Sequence, residues 1–113
     1  MEQPLPPYGA CLLGSVNLAK HVVFPFDKEQ AEIDMKALEE TVRTGVRILD
    51  SVVETSLFPL EAQRDEARFK RRQGLGVTGL ADALFMTGHR YGSEQAVDFT
   101  DTIMMNIAIW AYE

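Results

Sequence analysis

Between Met35 and Val53 the apolar positions Met35, Leu38, Val42, Val46, Leu49 and Val53 recur at three- and four-residue intervals. That spacing predicts an amphipathic helix capped by Asp34 and running to about Glu54. Glu39, Glu40, Arg43, Arg47 and Asp50 fall on its other side and read as a solvated face. Ile48 and Val52 widen the apolar stripe, so the helix is expected to pack against a sheet or several neighbours. The segment from Thr55 to Pro59 ends it.

The rest of the chain reads as shorter elements around that helix. LEAQRDEARFKRR, from Leu60 to Arg72, places Glu61, Asp65 and Glu66 ahead of Arg68, Lys70, Arg71 and Arg72. This order suits a short helix whose charges complement its dipole. A Gly-rich strand follows around Gly74, then a brief helix from Leu80 to Thr87 that Gly88 stops, with His89, Arg90, Tyr91 and Gly92 as a loop. Ser93 caps a last helix with Glu94 in its first turn. Its expected face is Val97, Thr100, Met104, Ile107 and Ala111, with Ile103, Trp110 and Tyr112 beside it. Met104 and Met105 read as core fillers. Earlier, AKHVVFPF reads as an extended segment that enters a loop at Pro25. The fold class is α/β, mostly helical, with too few strands to close a sheet; residues 1–113 form one segment of something larger.

Composition narrows the classes. The 113 residues are 46% hydrophobic and 25% charged, as in an ordinary globular domain. With 11 basic and 17 acidic side chains the net charge is −6, which does not suggest a nucleic-acid partner. No run of about 18 apolar residues predicts a membrane span, and the N-terminus lacks the order of a signal peptide, so a cytoplasmic location is expected. A single cysteine builds no internal disulfide framework and fits a reducing compartment, but leaves open a reactive thiol with a partner elsewhere. Buried among Leu12 and Leu13, Cys11 would instead be a small hydrophobe. His21 has no second ligand at metal spacing and reads as a surface or packing residue; no metal site is expected.

The chemistry concentrates in EQPLPPYGACLLGSVNL, from Glu2 to Leu18. Pro4, Pro6 and Pro7 exclude a helix and are expected to hold an extended lead-in between the Glu2 carboxylate and the Cys11 thiol, with Gly9 free to turn. This stretch resembles the active-site segment of ribonucleotide reductase large subunits, most closely the adenosylcobalamin-dependent kind. In that family a Cys-x-Glu triplet is followed by a proline-rich spacer and by a second cysteine ahead of Leu-Gly-Ser-x-Asn-Leu. Glu2 matches the glutamate, Cys11 the later cysteine, and Leu13, Gly14, Ser15, Asn17 and Leu18 the run. The radical-carrying cysteine belongs two residues before Glu2, where this sequence has no residue, so the resemblance implies a fragment that is inactive alone.

What the resemblance implies is reduction of a ribonucleoside di- or triphosphate by radical chemistry inside a ten-stranded α/β barrel. Glu2 would be the general base at the ribose 3′-hydroxyl. Cys11 would be one of two thiols that become a disulfide, re-reduced by a thioredoxin-type dithiol. The other thiol, and the residues that hold adenosylcobalamin, are not identified in this sequence.

Two motifs carry competing readings. Gly74-Leu-Gly76-Val-Thr-Gly79 is a literal G-x-G-x-x-G, which could seat a dinucleotide in an oxidoreductase. FKRRQ precedes it where a buried strand should, however, and RRQGLGVTGLADAL resembles a second reductase segment in which the glycines allow close packing. Lys70, Arg71 and Arg72 could meet a substrate phosphate or simply be a charged helix end. A non-catalytic helical interaction module, with Cys11 as packing, is the alternative from another functional class.

Overall fold

The computed structural model describes residues 4–113. Asp34 caps α1 (Met35–Thr55) as expected, its Oδ1 accepting from the Ala37 amide at 2.9 Å. Leu38, Val42, Leu49 and Val53 are buried along the stripe that their spacing predicts. Two helices separate the strands β1 (Leu12–Asn17) and β4 (Gln73–Thr78): α1 and then α2 (Glu61–Lys70). The strands pair in parallel from Leu12↔Gln73 to Asn17↔Thr78, so this is a β–helices–β crossover. Gly45 of α1 faces Leu75 of β4, where a Cβ would be in ordinary van der Waals contact at 3.4 Å. The chain then continues into α3 (Leu80–Met86) and α4 (Glu94–Tyr112), the latter capped by Ser93.

The core lies where α1 and α4 meet one face of the sheet: Val16, Leu18, Leu38, Val42, Ile103 and Ile107 are all buried there. This corrects the expected face of α4. Ala96, Ile103 and Ile107 are its buried positions, whereas Val97, Met104 and Met105 are exposed. Met104 lines a groove with Leu80, Leu84 and Tyr91, so the two methionines are not core fillers in this segment. Beyond the polar stripe of Glu94, Asp98, Asp101 and Thr102 the helix offers apolar residues on several sides, and neighbouring α1, more than the pattern, selects which side turns inward. Ile48 and Val52 are exposed too, so the wider stripe of α1 has no cover among the described residues.

Two expected extended stretches are bent. Pro6 to Gly9 forms a closed turn, with the Gly9 amide donating to the Pro6 carbonyl at 2.9 Å. Pro7 supplies the fixed φ and Tyr8, at φ +62°, takes the left-handed position that glycine usually fills. The lead-in to Cys11 is therefore turned, not a straight spacer. AKHVVFPF likewise starts with a 3-10 turn (Leu18–His21), and only Val22–Val23 is strand, β2, paired antiparallel with β3 (Glu32–Ile33). The radius of gyration is 17.0 Å, against about 13 Å for a compact domain of this length. An α/β segment with a two-stranded parallel sheet and exposed Leu57 and Phe69 thus does not close a core by itself.

Candidate functional site

Side chains alternate across β1, and the burial alternates with them. Leu12, Gly14 and Val16 turn toward α1, whereas Leu13, Ser15 and Asn17 are exposed on the other face. By the register, Gln73, Leu75 and Val77 share the helix-covered face, and Gly74, Gly76 and Thr78 share the open one. Gly74 stands beside Leu13 and Gly76 beside Ser15, so the open face has two positions with no side chain at all. The G-x-G-x-x-G motif therefore does not make a phosphate-binding turn. Its first two glycines lie within β4, and only Gly79, at φ +69°, turns the chain into the seven-residue α3. This corrects the dinucleotide reading.

Cys11 precedes β1 by one residue, just outside the paired register. Its neighbour Leu12 donates its amide to the Arg72 carbonyl at 3.1 Å, extending the β1–β4 ladder back to the level of the thiol. Cys11 is half-buried, and its thiol makes a long contact, 3.9 Å, to the Leu12 carbonyl. Cys11 is thus neither sealed among leucines nor paired. Glu2, the other candidate, lies outside the described residues. His21 lines a groove along β1 and α1, and no cluster of three potential metal ligands occurs among the described residues.

The basic cluster resolves into separate roles. Lys70 pairs with Glu66 at 2.8 Å across one turn of α2. Arg71 folds back onto α1, with Nε on Asp50 Oδ1 at 2.8 Å, Nη2 on the Asp50 carbonyl at 3.1 Å, and Nη1 on Glu54. Gln73 also donates to Asp50 Oδ1, at 3.2 Å. The hydrogen bond from Arg71 holds the Asp50 carboxyl below its ordinary range, and the two carboxylates push the Arg71 guanidinium up. Asp50 is consequently not part of a merely solvated face. The four-residue spacing of Asp50 and Glu54 puts both acids on one side of a helix, and that spacing is the signal from which a cationic partner could have been expected.

A parallel sheet is ordinarily covered on both faces, so helices on one side and a bare glycine-floored face on the other define a wall segment of a larger α/β structure. Comparison with known proteins agrees: the sequence matches the family described as ribonucleotide reductase, barrel domain, over residues 1–113, and the chain belongs to that family. It is 42% identical over 103 residues to the vitamin B12-dependent ribonucleoside-diphosphate reductase of Thermoplasma acidophilum, covering 91% of this chain and 13% of that protein. Identity to the protein of the same name from Mycobacterium tuberculosis is 40% over 106 residues, 94% of this chain and 14% of the relative. The ribonucleoside-diphosphate reductase subunit alpha of Chlamydia trachomatis is 36% identical over 104 residues, 91% of this chain and 9% of the relative. The chain therefore spans 13 to 14% of the length of the first two relatives. Membership of this family replaces the reading as a non-catalytic helical module. No helix among the described residues is long and apolar enough to cross a membrane.

The described residues do not by themselves form a seat for a corrin. An open furrow of about 820 Å³ runs along Leu13–Asn17 and α1, and Cys11 is not among its lining residues.

Proposed function

We propose that this segment is part of the catalytic barrel of a ribonucleotide reductase, and that Cys11 supplies reducing equivalents to the substrate ribose. What supports the reading is that Cys11, half-buried and unpaired, immediately precedes β1, whose far face from α1 is floored by Gly74 and Gly76. In a closed barrel with helices outside, that face is the interior, and ten strands is the closure we infer. Residues 1–113 form one piece of that domain.

The net step balances with two thiols. The ribose C2′–OH bond breaks, hydrogen takes the place of the hydroxyl, water leaves, and Cys11 with a second thiol from elsewhere in the protein becomes a disulfide. A thioredoxin-type dithiol then restores both thiols by exchange, which requires the half-exposure that Cys11 has. Glu2 is the residue we assign as general base at the 3′-hydroxyl, where removal of that proton assists departure of water. The substrate is a ribonucleoside diphosphate or triphosphate; the names of the relatives favour the diphosphate. The vitamin B12 dependence in the names of the first two relatives likewise supports adenosylcobalamin, whose chemistry is to generate the initiating radical. A complete reductase chain carrying these residues and the substitution Cys11→Ser tests the reading. Dithiol-supported turnover should be lost while nucleotide binding persists, and sustained multiple turnover would refute the role of Cys11.

A further inference from the structure

The Arg71 ion pairs are not absorbed by the reaction just described, yet they end one peptide away from the thiol. Arg71 closes α2 in a left-handed conformation, φ +46° and ψ +46°, which an arginine adopts only when its surroundings hold it there. Its amide donates to the Ala67 carbonyl at 2.8 Å, tying it to α2. Its guanidinium grips the last turns of α1 through Asp50 and Glu54. Gln73, the first residue of β4, binds the same Asp50 oxygen. The two-residue link between α2 and β4 is thus anchored on both sides to one carboxylate. Between those anchors lies Arg72, whose carbonyl receives the Leu12 amide at 3.1 Å, and Leu12 follows Cys11 directly.

We propose that Arg71 is a positioning residue for the Cys11 thiol, acting through the start of β4 and the Arg72–Leu12 hydrogen bond. The proposal deepens the assignment of Cys11 as a redox thiol and rests on it. A helix (α1) that also carries the buried stripe Leu38, Val42, Leu49 and Val53 is the rigid reference. Arg71 transfers the position of that helix to β4, and the β4 backbone transfers it to the residue beside the sulfur. Thiol–disulfide chemistry requires close, aligned sulfur atoms, so a small displacement of this strand start is costly.

The test uses a complete reductase chain carrying these residues, with Arg71→Ala, Arg71→Gly and Asp50→Asn, each assayed at a temperature where far-UV circular dichroism matches the wild type. Two readouts are followed: kcat and KM for dithiol-driven reduction, and the alkylation rate of Cys11 in the folded protein by peptide mass mapping. Arg71→Ala and Asp50→Asn should lower kcat roughly 10-fold or more, with KM for the nucleotide within about twofold, and should change the Cys11 alkylation rate severalfold. Arg71→Gly relieves the left-handed backbone without restoring the fork, so it should match Arg71→Ala; wild-type behaviour would overturn the proposal. So would either readout remaining unchanged in both other variants, with only a lower melting temperature. Cys11→Ser separates the two levels. If it continues to turn over on dithiol, the redox role falls; if it stops while Arg71→Ala and Asp50→Asn do not, only the positioning role falls.

Discussion

Gly79→Ala tests the junction that aligns β1 with the strand-to-helix turn after β4. Gly79 has φ +69°, and a Cβ built on it would stand 2.6 Å from Asn17 Oδ1 and 3.3 Å from both Ala19 Cβ and Ala19 N. Two costs follow. A left-handed backbone costs a residue with a Cβ about 1 kcal/mol. Asn17 must also move, and its Oδ1 is the acceptor for the Ala19 amide at 3.1 Å, so a cap worth about 1 kcal/mol is lost as well. With the remaining crowding against Ala19, the expected destabilisation is about 2–3 kcal/mol. Native-state amide exchange in a complete reductase chain reads this locally, at the Ala19 amide and at Ala83, which donates to the Gly79 carbonyl at 2.9 Å. Exchange there should accelerate roughly 30- to 140-fold. Asn17→Ala alone should cost about 1 kcal/mol, and in the Asn17→Ala background Gly79→Ala should cost less than in the wild type, because the clash partner is gone. Unchanged protection in Gly79→Ala, or strict additivity of the pair, would refute this account.

In a complete reductase chain, Leu38→Ala removes a fully buried side chain from the centre of this segment's core and should destabilise the protein by about 2–5 kcal/mol, seen as a lower melting temperature; a shift no larger than that of an exposed control such as Leu57→Ala would show that α1 does not anchor the fold. The Asp50–Arg71 pair makes a prediction with a definite sign. Arg71 depresses the Asp50 carboxyl in the folded state, so its stabilising contribution is complete above the ordinary carboxylate range and is lost as pH falls through the lowered folded value. The difference in melting temperature between wild type and Asp50→Asn should therefore hold steady from neutral pH down to about 4 and shrink below it. A gap that closes between neutrality and pH 5 would contradict the pairing.

Which elements form was legible where local chemistry decides them. The Asp34 and Ser93 caps, the 3.6-residue stripe of α1, and the charge order of α2 act within one or two turns, so spacing and side-chain type suffice. The family was also legible, because Leu13, Gly14, Ser15, Asn17 and Leu18 stand at fixed offsets from Cys11. Pairing between distant segments was not. The inward side of α4, the grip of Arg71 on Asp50 twenty-one residues away, and the bare face of the β1–β4 sheet depend on which surfaces meet. The turn at Tyr8 escaped notice for a different reason: proline restricts itself and its predecessor but leaves the following residue free to go left-handed. Periodicity says that a side chain prefers burial, and an isolated thiol says that chemistry is possible. Only the packed strands and helices decide which face stays open, because that depends on contacts between residues far apart in the chain, which a local pattern does not encode.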